Sequence, residues 1–591
     1  MTAPRSPRSK ASRRRRRRVR TKSLVFLAVS GCFLLLLGLS SAQIVGRYSC
    51  ESNPVVIKVA VSPDIAPAIQ QVVNVFNTQG HQAAGRCVQV QLAAEPPTMA
   101  AAQIDGTRNV AGSPPDAWIP DSSLWVDEAR LNPVGATKVQ PAGFSVARSP
   151  LLIVMPDKAS AAKVPSFGKV GWRLLLPSTA GGPVVPANVQ MDLPDPAQSA
   201  AGLASLIEIS RLLGPNHTVK FTRFAYHSAV TSYFDTPGEL TSFVSLAAAP
   251  LNGLPITVTS EQAVLAYDEA NPSRPLAASY PTAGSANLGS PELDYPYVLT
   301  TSNSARYAAA KLFGDMLTMS YARSVIRYAG FRVGQGAGVP DTFPAAFGLG
   351  SQLLQVAPPA SATEVPTALQ AWNRLSLGSR DLALIDVSSV MGSPADPANP
   401  TGPTLEQELT ATASRGLALF ADSASLGLWE FADHMHGELP YRQLVPLGPL
   451  TASSGVITRR TQLQNLTGEL KPTAGPQVAL YGTMLDAYKY MVAHWKPKFF
   501  NTVVVLASGL ENAPGDITAP ALVSQLSKLY SKARPVSLII IAFDPANFAT
   551  LQKVASAGGG QAYLVTSPSQ IGAVFFHALA HRLCDPKCVA A

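Results

Sequence analysis

Charge is scarce in this chain: 14% of residues are charged and 7% aromatic, against 47% apolar. That balance excludes a disordered polyelectrolyte and leaves a globular protein with well-filled cores. A broad basic face is also missing. Residues 1–22 hold eleven Lys or Arg and no acid, and the remainder carries 36 basic and 37 acidic residues, a net of −1. The overall +10 therefore sits at one end, and nucleic acid is not an expected partner. No Gly-x-Ser-x-Gly, Gly-x4-Gly-Lys-Ser/Thr or His-Glu-x-x-His occurs, which removes the common nucleophile, nucleotide and zinc-hydrolase signatures. Gly558-Gly559-Gly560 is no dinucleotide fingerprint, since it does not lie between a first strand and its helix. The expectation is a non-enzyme. A hydrolase whose residues converge only in three dimensions stays as an alternative.

Cysteine is rare, with five in 591 residues. Cys50, Cys87, Cys584 and Cys588 make an even set that suggests two disulfides in an oxidising compartment. The simplest pairing is Cys50–Cys87 and Cys584–Cys588. Zinc competes weakly, because Cys-x3-Cys has no second pair nearby.

Long hydrophobic runs are absent save one, SLVFLAVSGCFLLLLGLSSAQIV at residues 23–45. Its length suffices for a membrane span, and the basic flank predicts a cytoplasmic N-terminus. Three readings stay open: a retained anchor, a signal peptide cleaved after Ser40-Ser41-Ala42, and a lipoprotein box around Cys32. The expected localisation is the cell membrane, single-pass, with the bulk extracytoplasmic.

Length predicts two or three domains. VVIKVAVSPDIAPAIQQVVNVFN from Val55 reads as a strand, a turn and an amphipathic helix, the opening unit of an α/β domain. Residues 337–375 turn rich in Pro, Ala and Gly and read as a linker. A second α/β pattern starts at DLALIDV and continues through SLGLWEF, NTVVVLAS, SLIIIAF and QAYLVT. It predicts a doubly wound sheet with working loops at the strand C-termini.

SPDIAPAI, PDAWIPDSSLW, LPDPAQSAAGLASL, TSEQAVLAY, LDYPYV and YAGFR resemble the actinobacterial extracellular solute-binding proteins of the two-lobed, molybdate-binding-like type. The resemblance spans roughly 55–335. It implies two α/β lobes, joined by crossing strands, that close on a ligand. Helix starts supply the candidate cleft residues: Ser62 and Asp64, then Asp121, Ser122 and Ser123, then Ser199. Hydroxyls and free amides at such ends suit an anion or a polar solute. The same residues are also the commonest helix caps. Trp125, Tyr280 and Tyr295 are aromatic candidates that equally suit packing.

LIDVSSVMGSP, GLWEFADHMHGELPYRQLVPLGPL, ALYGTMLDAY, NTVVVLASGLENAPGD and SAGGGQAYLVTSPSQI resemble the von Willebrand factor type A domain, over roughly 378–580. That family holds Mg²⁺ with Asp-x-Ser-x-Ser, a Thr and a further Asp. The resemblance keeps Asp386 and Ser388 but puts Val390, Val478 and Ser508 where three ligands belong. Valine offers no lone pair, and Mg²⁺ demands a near-octahedral oxygen shell. The site is read as degenerate, with no metal or other cofactor. Thr483, Glu511 and Asp516 are nearby oxygens without the required spacing.

The expected fold class is α/β: a two-lobed periplasmic-binding-protein-like domain, then a doubly wound, Rossmann-like type A domain, behind an N-terminal transmembrane helix. The expected domains are a basic cytoplasmic tail (1–22), signal-anchor (23–45), solute-binding-like domain (46–336), linker (337–377), type A domain (378–583) and Cys-x3-Cys tail (584–591). The expected function is membrane-anchored, non-catalytic binding of an unknown small solute or anion, with a surface protein as a further partner. A structural adhesion or envelope-assembly protein is the competing reading.

Overall fold

The computed structural model describes residues 53–583 apart from 108–112, 187–188, 215–217, 232–239, 241–242, 245–253, 282–288, 335–355, 438, 474–476, 510–512 and 582. The first unit has two lobes. In the first lobe, six strands run in the order Gln82–Ala83, Arg86–Ala94, Val55–Val61, Ala117–Ile119, Pro296–Leu299, Gln140–Ser145. Val55–Val61 pairs parallel with both neighbours and buries Val55, Ile57, Val59, Ala60 and Val61. The helix Ala66–Thr78 packs on the neighbouring Arg86–Ala94, with Ile69, Val72, Val73 and Phe76 all buried at helical spacing.

In the second lobe the order is Ala277–Ser279, Ser149–Met155, Leu254–Ser260, Val189–Pro194, Ser228–Thr231, with Glu292–Leu293 also pairing to Ser149–Met155. Ser149–Met155 is buried along its whole length, as a strand covered on both faces must be. The chain passes between lobes twice, at residues 146–148, from Gln140–Ser145 to Ser149–Met155, and again at 294–295, from Glu292–Leu293 to Pro296–Leu299. Gly202 lets the helix Ala200–Leu213 seat against the end of Val189–Pro194. A Cβ there would meet the Pro194 carbonyl oxygen at 2.1 Å.

The stretch read as a linker is only partly one. Glu364–Leu375 is a helix with Val365, Ala368 and Trp372 buried. It packs on Ala200–Leu213 and Thr218–His227 of the second lobe and on Ser123–Arg130 of the first. Just before it, the Ala357 amide donates to the Ser290 carbonyl at 2.9–3.0 Å separation typical of such bonds, here 3.0 Å.

The second unit is one six-stranded sheet in the order Leu439–Pro449, Ser425–His436, Gly378–Asp386, Phe499–Ala507, Val536–Ala542, Ala562–Leu564. All pairings are parallel except that of the edge strand Leu439–Pro449. The strand order reverses between Gly378–Asp386 and Phe499–Ala507, where a crevice opens at the strand C-termini in doubly wound sheets. The last helix, Ile571–His581, packs on Thr218–His227 of the first unit. Arg223 lies 5.1 Å from the centre of the Phe576 ring.

The expected single-pass membrane localisation is corrected. Among the described residues no helix is long and apolar enough to cross a membrane. Leu405–Leu419, with 15 residues, reaches about 22 Å at 1.5 Å per residue, short of the ~30 Å hydrocarbon layer. Residues 1–22 and 23–45 lie outside the described residues. Cys87 is disulfide-bonded, and Cys50, Cys584 and Cys588 lie outside the described residues.

Candidate functional site

Six of the sequence-derived candidates gather beside the crossing segments. Asp64 Oδ1 accepts from the Ile65 amide at 2.9 Å, and the Tyr295 hydroxyl donates to Oδ2. Burial pushes the Asp64 carboxyl above its ordinary range, although the bonds from Tyr295, Ser62 and Ile65 oppose it. Tyr295 is fully buried, its ring edge-on to Phe331 at 5.1 Å. Its φ of +40° is rare for an aromatic residue and costs about 1–3 kcal/mol. The backbone on both sides holds it there: its amide donates to the Asp121 carbonyl at 3.1 Å, and its carbonyl accepts from Val146 at 2.9 Å. One residue thus ties together the first helix start, the Asp121 loop and both crossings.

Asp121 and Ser122 are buried. Ser122 Oγ caps the helix Ser123–Arg130 by accepting from Leu124 at 3.3 Å. The Ser123 amide instead donates to Asp294 Oδ1 at 2.7 Å, and burial raises the Asp294 carboxyl. In the second lobe, buried Ser199 caps Ala200–Leu213 through the Gly202 amide at 3.3 Å.

Tyr280 lies apart from these. Its hydroxyl donates to Glu261 Oε2 and accepts from Arg332 at 3.2 Å. Arg332 and Glu261, both buried, pair at 2.6 Å and 2.8 Å. Burial, then the Glu261 charge, holds the Tyr280 hydroxyl far above its usual range. Glu261 and Arg332 are buried and Tyr280 is half-buried.

A pocket of about 570 Å³ lies between the lobes, within the range of small-molecule sites. Ser122 and Ser123 line it from the first lobe, Arg148 and Asp294 from the crossings, and Glu208, Arg211 and Glu292 from the second lobe. Residues 356–360 also line it. Its charged residues were not singled out by sequence reasoning. The signal present was a carboxylate and a guanidinium three residues apart inside the apolar run ASLIEISRLL. Arg211 donates to Glu208 at 2.7 Å, to Glu364 at 2.7 Å and 3.0 Å, and to the carbonyls of Pro358 and Pro359 at 2.9 Å and 3.0 Å. Arg148 donates to Glu292 at 3.1 Å.

At the switch point of the second sheet, Asp386 is 1% exposed. It accepts from the Ser388 amide at 2.9 Å and from the Ser508 amide and hydroxyl at 3.1 Å and 3.0 Å. Burial raises this carboxyl, against those bonds. Val478 is buried, and Val390 packs into the two flanking apolar clusters. The nearby oxygens are engaged elsewhere. Thr483 Oγ1 donates to the Ala479 carbonyl at 2.7 Å, and Asp516 accepts from the Tyr481 and Gly482 amides at 3.0 Å and 2.8 Å. Glu511 lies outside the described residues. Among the described residues, no three or more His, Cys, Asp or Glu side chains are grouped as a metal site would require.

Two lobes, two crossings and an interlobe pocket make the first unit a two-lobed α/β module. Residues 57–332 match the family model of the bacterial extracellular solute-binding proteins. Among solved structures, the sulfate-binding protein SubI from Mycobacterium tuberculosis H37Rv is similar at 18% identity, with 50% of this chain and 89% of that chain covered and a TM-score of 0.33. A periplasmic thiamin-binding protein is similar at 15% identity, covering 55% and 95%, with a TM-score of 0.38. A von Willebrand factor type A structure from Catenulispora acidiphila is similar at 14% identity, covering 35% and 43%, with a TM-score of 0.26. No curated protein matches the chain.

Proposed function

We propose that residues 46–336 bind a small solute between their two lobes, without catalysis, and that residues 378–583 form a type A unit that docks a protein partner without a cation. The observation carrying the first part is the interlobe pocket, lined from both lobes and both crossings inside the stretch matching the solute-binding family. A thermal-shift screen of the dialysed full chain tests it. A saturable rise in melting temperature with a sugar, amino acid, amine or oxyanion is expected, and a flat response across all four classes would end the reading.

Support for a cation-free tip comes from Asp386, whose two oxygens already accept from amides and a hydroxyl. With valines at two further corners, this donor set does not suit an octahedral Mg²⁺ shell. Adding EDTA is expected to leave the unfolding transition of this unit in place; a drop reversed by Mg²⁺ would contradict the proposal. We also assign the disulfides as Cys50–Cys87 and Cys584–Cys588, checked by non-reducing peptide mapping.

A second reading has its own observation. The helix Glu364–Leu375 touches both lobes, as suits an envelope-assembly module whose lobes no longer move. A flat ligand screen favours that reading.

A further inference from the structure

Two guanidinium groups line the interlobe pocket, and both are already matched. Arg148 is paired with Glu292 at 3.1 Å. Arg211 holds Glu364 in a two-bond fork, reaches Glu208, and spends its remaining donors on two proline carbonyls. An incoming oxyanion would find Arg211 fully engaged and Arg148 already charge-paired. It would instead meet carboxylates in excess, because Glu208, Glu292 and Asp294 all line the same space.

The unmatched group is an acceptor. Glu208 is 2% exposed and lines the pocket. Its Oε1 takes the Arg211 bond at 2.7 Å, while Oε2 is buried with no hydrogen-bond partner among the described residues. A buried carboxylate oxygen left without a donor costs about 1–3 kcal/mol or more, so folding alone gives no reason to keep it. A ligand that brings an N–H donor and a positive charge removes that cost and gains a charge-assisted bond. Burial already pushes the Glu208 carboxyl up, with Arg211 opposing; a cationic ligand would draw it back down.

We propose that this pocket takes a small solute presenting a protonated amine to Glu208, and that it rejects oxyanions. The proposal rests on the solute-binding reading above and deepens it by naming the ligand class. The Ser123 amide at the helix start does not reverse the selection, because it already donates to Asp294. Segment 356–360 belongs to this site: it supplies one wall and the carbonyls that keep Arg211 occupied.

The test uses the full chain, dialysed, with putrescine, ethanolamine and agmatine against sulfate, phosphate and molybdate, read by thermal shift and calorimetry. A saturable stabilisation by at least one amine is expected, with no response to the anions. Glu208→Gln should weaken that binding by about tenfold or more, since a charged acceptor becomes a neutral one, while circular dichroism stays unchanged. Asp294→Asn serves as a second variant, with a smaller loss expected. Stabilisation by an anion and none by the amines would overturn the amine proposal and leave solute binding standing. Silence across both sets and a sugar and amino-acid panel would overturn both. Amine binding unaffected in a folded Glu208→Gln would place the amine elsewhere and overturn the assignment.

Discussion

Asp386 shows how one carboxylate can be retained for reasons of folding. It is buried, and three donors converge on it from two loops that follow neighbouring strands. Replacing it with alanine leaves the Ser388 and Ser508 amides without their acceptor, and a loss of about 3 kcal/mol is expected by urea unfolding, each orphaned donor costing 1–3. Asp386→Asn, which keeps one acceptor, should lose less. Two other buried carboxylates act through pH. Burial lifts Asp192 and Asp268 to about 6, above their unfolded value of 3.8. The folded state then binds more protons than the unfolded state between those values. The stability these groups contribute is complete below the unfolded pKa and disappears as pH rises through about 6. Taking the protein from pH 7 to 5 should therefore raise the melting temperature of the second lobe, and the double variant Asp192→Asn, Asp268→Asn should flatten that slope.

At the scale of elements, the helix Glu364–Leu375 holds a tryptophan at the junction of the lobes. Trp372 is 3% exposed and its indole N–H donates to Asp195 at 2.9 Å. Trp372→Phe should cost about 1 kcal/mol for the lost bond, and Trp372→Ala about 3–5 kcal/mol for the lost burial, both read from chemical denaturation. Equal costs for the two would contradict this account. The helix was hard to read in the sequence because Pro366 follows a run of Pro and Ala. Yet a proline in the first turn removes an N–H that has no intrahelical partner, and Val365, Ala368 and Trp372 already lie at helical spacing. The edge strand Leu439–Pro449 escaped for a related reason: its prolines argue against a central strand but are tolerated at an edge. Other strands of the second sheet, such as Gly378–Asp386 and Val536–Ala542, were legible because they are apolar runs bounded by turns. The helix starts at Ser122 and Ser199 were legible too, as caps. What they face was not. Ser123 meets Asp294 across 171 residues, and Arg211 meets Glu364 across 153, distances over which no local pattern carries information.

For the whole molecule, the seam between the lobes and the second sheet are joined by a short connection. Leu375 ends the helix that touches both lobes, and Gly378 begins the central strand of the second sheet. On the far side, Arg374 donates to the Leu583 carbonyl at 3.3 Å, fastening that helix to the chain beyond the last helix as well. Two residues alone separate the helix that touches both lobes from the central strand of the second sheet. A shift of the second sheet would therefore be passed, through residues 376 and 377, to the helix that contacts both lobes.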